Sequence, residues 1–258
     1  MSVLVSFVGA GPGAHDLITI RGARLLRHAA VVIYAGSLVD RELVARYAAT
    51  AEVYDSAGMT LTAVIGVMMD AIAAGRSIVR LHTGDPSIYG AIQEQMEALD
   101  RLGVPYRVVP GVTSAFAAAA ALKQELTLPE VSQTVIFTRI EGRTPVPENE
   151  QLHRIAAIGA TLAIYLSVGM IEKVVEQLLR GAYTEDTPAA VVCRASWADE
   201  SILRGTLADI AGVVRDAGID RQALIIVGDV LAARQAGLKA KSLLYDDGFA
   251  HGFRSVTV

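Results

Sequence analysis

Short apolar segments alternate with helical patterns along most of this 258-residue chain. The helical pattern at Thr60–Ala74 places apolar side chains on one face, and Gly75 ends it. Alternation of this kind predicts an α/β fold in which helices cover both faces of a parallel sheet. In the first half of the chain the predicted strands are Val3–Val8, Val31–Tyr34, Glu52–Tyr54, Ser77–Leu81 and Tyr106–Val109.

A second series of apolar segments follows the alanine-rich stretch Ala115–Leu122. We therefore expect two α/β lobes with mostly parallel sheets, residues 1–114 and residues 115–258, with a ligand site in the cleft between them. The polar segment Glu141–Glu148 contains two prolines and is predicted to be a long functional loop. The predicted strands of this half are Gln133–Phe137, Thr161–Leu166, Ala189–Arg194, Ser201–Arg204 and Ala223–Val227.

The composition limits the class of protein. Hydrophobic residues make up 52% of the chain and charged residues 19%, yet no apolar run approaches the ~18 residues of a membrane span. The surplus is explained by buried parallel strands. The N-terminus lacks the basic region of a signal peptide, so we expect it to be part of the fold.

Charge and metal-binding residue types argue against several partners. The net charge of −4 predicts no nucleic-acid partner. The single cysteine, Cys193, excludes an internal disulfide and fits a cytoplasmic location. The five histidines form no closely spaced pair, so no protein-bound metal is expected.

Two strand-to-helix turns carry the residues of chemical interest. His82–Gly90 follows one predicted strand and Pro110–Ala115 follows the next. Ligands of open α/β sheets bind at the carboxyl edge, where such turns lie. The alternative is that these residues only begin helices, with Ser87 as an N-cap in the first turn and Thr113 or Ser114 in the second.

A third turn, Gly9–Ala14, matches the G-x-G-x-x-G/A fingerprint of dinucleotide-binding proteins. Two details weaken that interpretation. Pro12 removes an N–H group that a pyrophosphate would need, and the second strand ends at Ala35 without the expected acidic residue. Two other interpretations remain: the turn allows a helix and a strand to pack closely, or it faces a substrate.

Taken together, these turns resemble those of the tetrapyrrole methyltransferase family, the class III S-adenosylmethionine enzymes. Further motifs look like those of members that methylate a corrin precursor in cobalamin synthesis: Tyr34–Val39, Glu141–Pro147 and Arg194–Glu200. The ordered family motifs span most of the chain and are Val8–Gly13, Asp16–Thr19, Val31–Tyr34, Gly84–Gly90, Pro110–Ala115 and Gly205–Ile210.

The resemblance implies a homodimer with S-adenosylmethionine held between two lobes and released as S-adenosylhomocysteine. Two positions depart from relatives: Ala35 replaces an aspartate found in several of them, and Leu166 replaces a methionine. The implied cofactor contacts are Pro12, Thr83, Gly84, Asp85, Ile88, Thr113, Ser114, Leu166, Ala195 and Ala223.

The substrate implied is a tetrapyrrole rich in carboxylates, which arginines hold well. The resemblance implies that Gly11 and Gly13 of the glycine-rich turn border it, and from their positions we expect Arg139, Arg143 and Arg194 to hold its carboxylates. Methyl transfer asks mainly for alignment and exclusion of water, and no general base can be named. The alternatives are a family member acting on another ring carbon, on ribosomal RNA or on a protein histidine, a dinucleotide-dependent oxidoreductase, and a non-enzymatic binding regulator.

Overall fold

A computed structural model describes residues 4–233, 237, 242–243, 248–250 and 252–255. Contacts within the chain divide it into two units. The first comprises Met1–Ala117 and Arg194–Asp199, and the second comprises Ala118–Cys193 and Glu200–Val258. The short segment Arg194–Asp199 thus groups with the first unit although its sequence neighbours belong to the second, which no sequence pattern had indicated.

The first unit contains a five-stranded parallel sheet with strand order β3-β2-β4-β1-β5. Each predicted strand of this half is present, with ends shifted by at most two residues; Val3 lies outside the described residues. The strands β1–β5 are Val5–Gly9, Val31–Tyr34, Glu52–Asp55, Ile78–His82 and Tyr106–Val109. The helices α1–α5 are Ile20–Arg27, Arg41–Tyr47, Leu61–Ala73, Gln93–Arg101 and Ser114–Leu122, of which α5 crosses the division between the units.

Both faces of the three central strands of this sheet, β2, β4 and β1, are buried. Phe7 of β1 packs in one cluster with Met68 of α3 and Leu99 of α4, whereas its neighbour Val8 packs in another with Leu26 of α1. Successive strand residues point to opposite faces, so a sheet covered on both sides needs continuous apolar strands. This explains the high apolar content, and it leaves the turns at the strand ends as the places for polar chemistry.

The second unit contains another five-stranded sheet, with strand order β6-β7-β10-β8-β9. One apolar cluster fills the space between this sheet and its helices, with Leu162, Ile164 and Val191 of the sheet at its centre. The strands β6–β10 are Val135–Arg139, Thr161–Tyr165, Pro188–Cys193, Ser201–Thr206 and Ala223–Val227. The helices α6–α8 are Leu152–Ala156, Ile171–Leu179 and Ile210–Asp216.

The α/β class is confirmed, and five of the eight strand pairs are parallel: all four in the first sheet and one in the second. The second sheet taken alone corrects the expectation, because β10 runs antiparallel to β7 and β8, and β9 antiparallel to β8. A parallel connection needs about a dozen residues or more, and only Arg194–Glu200 joins β8 to β9. Among the described residues, no helix has the length and apolar character needed to span a bilayer.

Candidate functional site

The turns after β1 and β4 are hydrogen-bonded to each other at the carboxyl edge of the first sheet. The Ala10 N–H donates to the carbonyl oxygen of His82 at 2.7 Å. Gly11 and Gly84 then exchange two bonds, 2.8 Å from the Gly84 N–H and 3.3 Å from the Gly11 N–H. The glycine-rich turn and the turn containing Asp85 therefore form one continuous surface.

Asp85 connects this surface to the turn after β5. One carboxylate oxygen accepts from the Ser87 N–H and the other from the Gly111 N–H, both at 2.8 Å. Ser87 is not an N-cap as in the alternative interpretation: α4 begins at Gln93, and its N-cap residue Ile92 makes no side-chain capping bond. Asp85 thus holds two turns in place from strands that are not adjacent in the sheet.

Three glycines allow the three turns to approach so closely. A Cβ atom on Gly9 would lie 2.6 Å from the Gly111 Cα, and one on Gly111 would lie 2.1 Å from the Gly84 carbonyl oxygen. Gly84 also has a φ of +57°, in the left-handed region that glycine adopts without strain. A side chain at Gly9 or Gly111 would displace the backbone, whereas at Gly84 the constraint is the left-handed conformation.

The glycine-rich turn does not have the geometry of a pyrophosphate cradle. The N–H groups of Ala10 and Gly11 are bonded to the protein, and that of Ala14 donates to Ser196 Oγ at 3.0 Å. In dinucleotide-binding folds the helix N-terminus lies at this turn. Here a 3₁₀ segment intervenes, and α1 begins only at Ile20.

The segment Arg194–Asp199 covers the glycine-rich turn. The Trp197 Nε1–H donates to the Pro12 carbonyl oxygen at 2.9 Å, and a Cβ on Gly13 would lie only 2.2 Å from Trp197 Cδ1. The Arg194 guanidinium stacks over the Trp197 ring at 4.1 Å and bonds Asp199 at 2.7 Å. Arg194 therefore stabilises this segment, which also contains the buried predicted cofactor residue Ala195.

In the second unit, two predicted cofactor residues lie at one edge of the sheet. The register pairs Ile225 with Ile164, so its continuation places Ala223 opposite Leu166. Leu166 is 65% exposed and has a φ of +54°, and Gln222, before Ala223, has a φ of +52°. Such strained residues tend to cluster at functional sites.

Arg139 and Arg143 have different environments. The Arg139 guanidinium donates to three backbone carbonyls, those of Ile140, Thr144 and Pro145, and thereby holds the predicted loop closed. The loop is also fixed at its start, because the Ile140 N–H donates to buried Ser167 Oγ at 3.0 Å. Arg143 is exposed and makes no ion pair or hydrogen bond with any residue that the structure describes.

A polar pocket lies beside this loop and brings in cations that the sequence analysis missed. Its lining includes Lys173 and Arg180 together with Gln177. These three residues recur at helical spacing on and just after α7, a signal that the sequence offered. They lie near the loop through Glu141, whose carbonyl oxygen accepts from Lys173 Nζ at 3.3 Å.

Two buried basic groups lie on β4 beneath the turn. His82 is 6% exposed, and its Nε2 atom has no hydrogen-bond partner among the residues that the structure describes. Burial lowers the pKa of its imidazole to about 3. Burial also lowers the pKa of Arg80 to about 10, so this side chain keeps its charge at neutral pH. Arg80 Nε donates to Gln95 Oε1, and the Gln95 amide donates to the Ala91 carbonyl, which supports the end of the turn.

One group of potential metal-ligating side chains occurs in the described part of the chain. The side chains of His15, Asp40 and Glu42 place one ligand atom each within 4.8 Å of one another. His15 Nε2 lies 2.9 Å from one Asp40 oxygen, and the other Asp40 oxygen caps α2 by accepting from the Glu42 N–H. Because these hydrogen bonds account for the grouping, we assign no ion to it.

The remaining predicted residues lie on the same three turns. Thr83 is exposed, Ile88 is half-buried, Thr113 is buried and Ser114 begins α5. The structure thus brings together the first-unit residues of the predicted cofactor set on adjoining turns. Leu166 and Ala223 lie in the second unit.

Comparison with known proteins gives consistent results. The sequence model described as Tetrapyrrole (Corrin/Porphyrin) Methylases matches residues 4–211. A cobalt-precorrin-4 C(11)-methyltransferase of Methanocaldococcus jannaschii is 55% identical over 97% of this chain and 95% of its own length. A precorrin-4 C(11)-methyltransferase of Pseudomonas aeruginosa is 48% identical over 97% of this chain and 98% of its own.

Two solved structures extend the likeness to the fold. A cobalamin biosynthetic enzyme described as cobalt precorrin-4 methyltransferase has a TM-score of 0.86 and 49% identity, covering 88% of this chain and 95% of that one. A uroporphyrin-III C-methyltransferase from Thermus thermophilus, complexed with S-adenosylhomocysteine, has a TM-score of 0.71 and 29% identity, covering 88% and 93%.

Proposed function

The chain belongs to the tetrapyrrole (corrin/porphyrin) methylase family, and we propose that it methylates C11 of precorrin-4 or of its cobalt form. It is an S-adenosylmethionine-dependent methyltransferase of cobalamin biosynthesis. The observation that carries the proposal is that relatives named for this reaction are 55% and 48% identical to the chain over 97% of its length. When bound, S-adenosylmethionine supplies a methyl group from a positively charged sulfonium.

We assign the cofactor to the three joined turns of the first unit. The backbone at Gly84 leaves space for a ligand to approach closely. A Cβ atom added there would lie 3.6 Å from its nearest neighbour, the Thr113 Cα. Asp85 and Gly111 set the spacing of the turns, while Thr83 and Ile88 offer polar and apolar contacts at their surface. The first-unit residues assigned are Pro12, Thr83, Gly84, Asp85, Ile88, Thr113, Ser114 and Ala195.

The second-unit assignments, Leu166 and Ala223, stay predictions. An exposed leucine held in a left-handed conformation suits an apolar ligand surface better than it suits folding, because that conformation costs about 1 kcal/mol or more. We expect these residues to align the cofactor and to exclude water, because methyl transfer depends on both.

For the substrate carboxylates we rank the arginines by their existing partners. Arg143 has no described partner, so it is our first candidate, and Lys173 and Arg180 of the neighbouring pocket join it. Arg139 and Arg194 act by holding the loop and the covering segment. Gly11 and Gly13 stay predicted to border the substrate through their backbone.

We further propose that the protein is a cytoplasmic homodimer that binds neither nucleic acid nor membrane.

Two experiments distinguish the proposed methyltransferase from the alternative functions. Calorimetry should detect S-adenosylhomocysteine binding and no NAD(P) binding; the reverse would support the oxidoreductase. Incubation with labelled S-adenosylmethionine should label precorrin-4 at C11 in preference to uroporphyrinogen III, and an unlabelled product would leave only a binding protein.

The cobalt content of the substrate is tested in the same assay. Relatives named for the cobalt form and for the metal-free form have similar identities to this chain, so both substrates should be offered in parallel. Mass spectrometry of the two products then gives the preferred form directly from the ratio of methylated to unmethylated macrocycle.

A further inference from the structure

Next to the glycine-rich turn, a histidine and an aspartate form a pair that the proposed function has not used. We infer that His15 accepts the proton that the macrocycle releases on methylation, and that Asp40 is the residue that positions it. This inference rests on the proposed function. It assigns a proton acceptor to a reaction for which the sequence motifs provided none.

The pair has the geometry of an oriented base. Asp40 places one oxygen 2.9 Å from His15 Nε2 and the other 2.9 Å from the Glu42 N–H, so the carboxylate is fixed at both atoms. An ionised carboxylate only accepts hydrogen bonds, so Nε2 must carry the proton. The lone pair of the neutral imidazole is then at Nδ1, the ring nitrogen that does not face Asp40.

The surroundings keep Asp40 ionised and His15 in place. The His15 hydrogen bond lowers the pKa of the Asp40 carboxyl, and the positive charge of Arg194 lowers it further. Tyr47 of α2 donates its hydroxyl to the His15 carbonyl oxygen at 3.1 Å. The Glu42 carboxylate of α2 also lies close to the pair, and the guanidinium groups of Arg27 and Arg46 stack on the Tyr47 ring.

His15 can also be reached by a ligand. Its side chain is 21% exposed, and it follows Ala14, the last residue of the glycine-rich turn. The other titratable side chains on these turns are less suited to accept a proton. Both Asp85 oxygens are bonded to backbone N–H groups, and buried His82, with a pKa of about 3, is a weak base.

The reaction requires a proton acceptor. The new C–CH₃ bond uses an electron pair of the macrocycle, and the electron pair of the broken S–CH₃ bond stays on sulfur. The macrocycle therefore carries an extra positive charge until it loses a proton. His15 Nδ1 takes that proton, the resulting imidazolium is stabilised by Asp40, and the proton then passes to water.

Single-turnover methylation of precorrin-4 tests this assignment with three variants. General-base catalysis contributes about 10²–10⁴-fold, so His15→Gln should slow the step by about 100-fold or more. Asp40→Asn, which can still cap α2, should slow it by a smaller factor. The matched control is His28→Gln, because His28 is the C-cap residue of α1 and its side chain bonds the Arg24 carbonyl oxygen at 2.7 Å; this variant should behave as wild type.

Two further readouts distinguish proton transfer from a structural role. His15→Gln should bind S-adenosylhomocysteine as tightly as wild type although it methylates the tetrapyrrole more slowly. Nitrogen NMR of the unliganded protein should show the Nε2–H tautomer of His15. A wild-type rate in His15→Gln, or an Nδ1–H tautomer, would overturn the inference.

The outcomes also separate this inference from the proposed function. If wild-type protein binds S-adenosylhomocysteine but methylates no tetrapyrrole, the proposed function fails and the inference fails with it. If wild type methylates precorrin-4 and His15→Gln does so equally fast, only the inference fails.

Discussion

Replacing Asp85 by alanine should remove two hydrogen bonds, one to Ser87 within the turn after β4 and one to Gly111 that joins this turn to the turn after β5. A hydrogen bond to a charged acceptor contributes about 1.5–3 kcal/mol, and the half-buried position of Asp85 argues for the lower value. The two bonds together predict a loss of about 3 kcal/mol in the free energy of unfolding. Asp85→Asn keeps one acceptor oxygen and should lose about half as much.

The effect on the cofactor should be larger. The Gly111 turn leads directly to Thr113 and Ser114, so its displacement disturbs several predicted contacts at once. We expect the affinity for S-adenosylhomocysteine to fall by about 1,000-fold, which at 1.4 kcal/mol for each tenfold change is about 4 kcal/mol and exceeds the stability loss. Urea unfolding gives the first quantity and isothermal calorimetry on the folded variant gives the second.

Asp55 provides a matched control. Its carboxylate accepts from the N–H groups of Ala57 and Gly36, both at 2.9 Å, and so links the turns after β3 and β2 in the same way. Asp55→Ala should lose stability while keeping its cofactor affinity. Unchanged S-adenosylhomocysteine affinity in Asp85→Ala would refute the cofactor assignment, and unchanged stability would refute the bridging role.

Four further substitutions test other parts of the site. Leu166→Gly should raise the free energy of unfolding by about 1 kcal/mol, because glycine adopts the left-handed conformation without strain. The same variant should bind S-adenosylhomocysteine more weakly. Equal affinity would exclude Leu166 from the site. Arg143→Ala should raise the KM for the tetrapyrrole with little change in melting temperature, whereas Arg139→Ala should lower the melting temperature by releasing the loop. Gly13→Ala should force Trp197 away and destabilise the protein by about 1–3 kcal/mol in urea unfolding; wild-type stability would show that the contact is loose.

The first sheet could be predicted from the sequence because its central strands are mostly apolar and its strands are separated by long helical connections. The direction of the strands in the second sheet could not be predicted from the same pattern, because an apolar segment looks the same in a parallel and in an antiparallel strand. The short connection between β8 and β9 was the available signal. Strand direction has consequences for the site: only an antiparallel pairing of β7 and β10 brings Leu166 and Ala223 to one edge.

The site was predictable where it depends on local turn chemistry and unpredictable where it depends on neighbours in space. Gly84 and Asp85 stand out in the sequence because glycine and aspartate have distinct roles in turns. That Asp85 would bond Gly111, or that Trp197 would cover Gly13, depends on which turns adjoin in the folded chain. The same holds for Arg139 and Arg194, which were predicted to contact the substrate. The sequence does not show that Arg139 bonds the Pro145 carbonyl oxygen or that Arg194 stacks on the Trp197 ring.

The position of Trp197 has a practical consequence. It is the single tryptophan of the chain, and its indole lies against the glycine-rich turn, bonded to Pro12 and stacked with Arg194. Tryptophan fluorescence of the unlabelled protein therefore comes from one location beside the proposed site. Stopped-flow emission could follow the arrival and departure of each ligand at that turn in real time, with no dye attached to the protein.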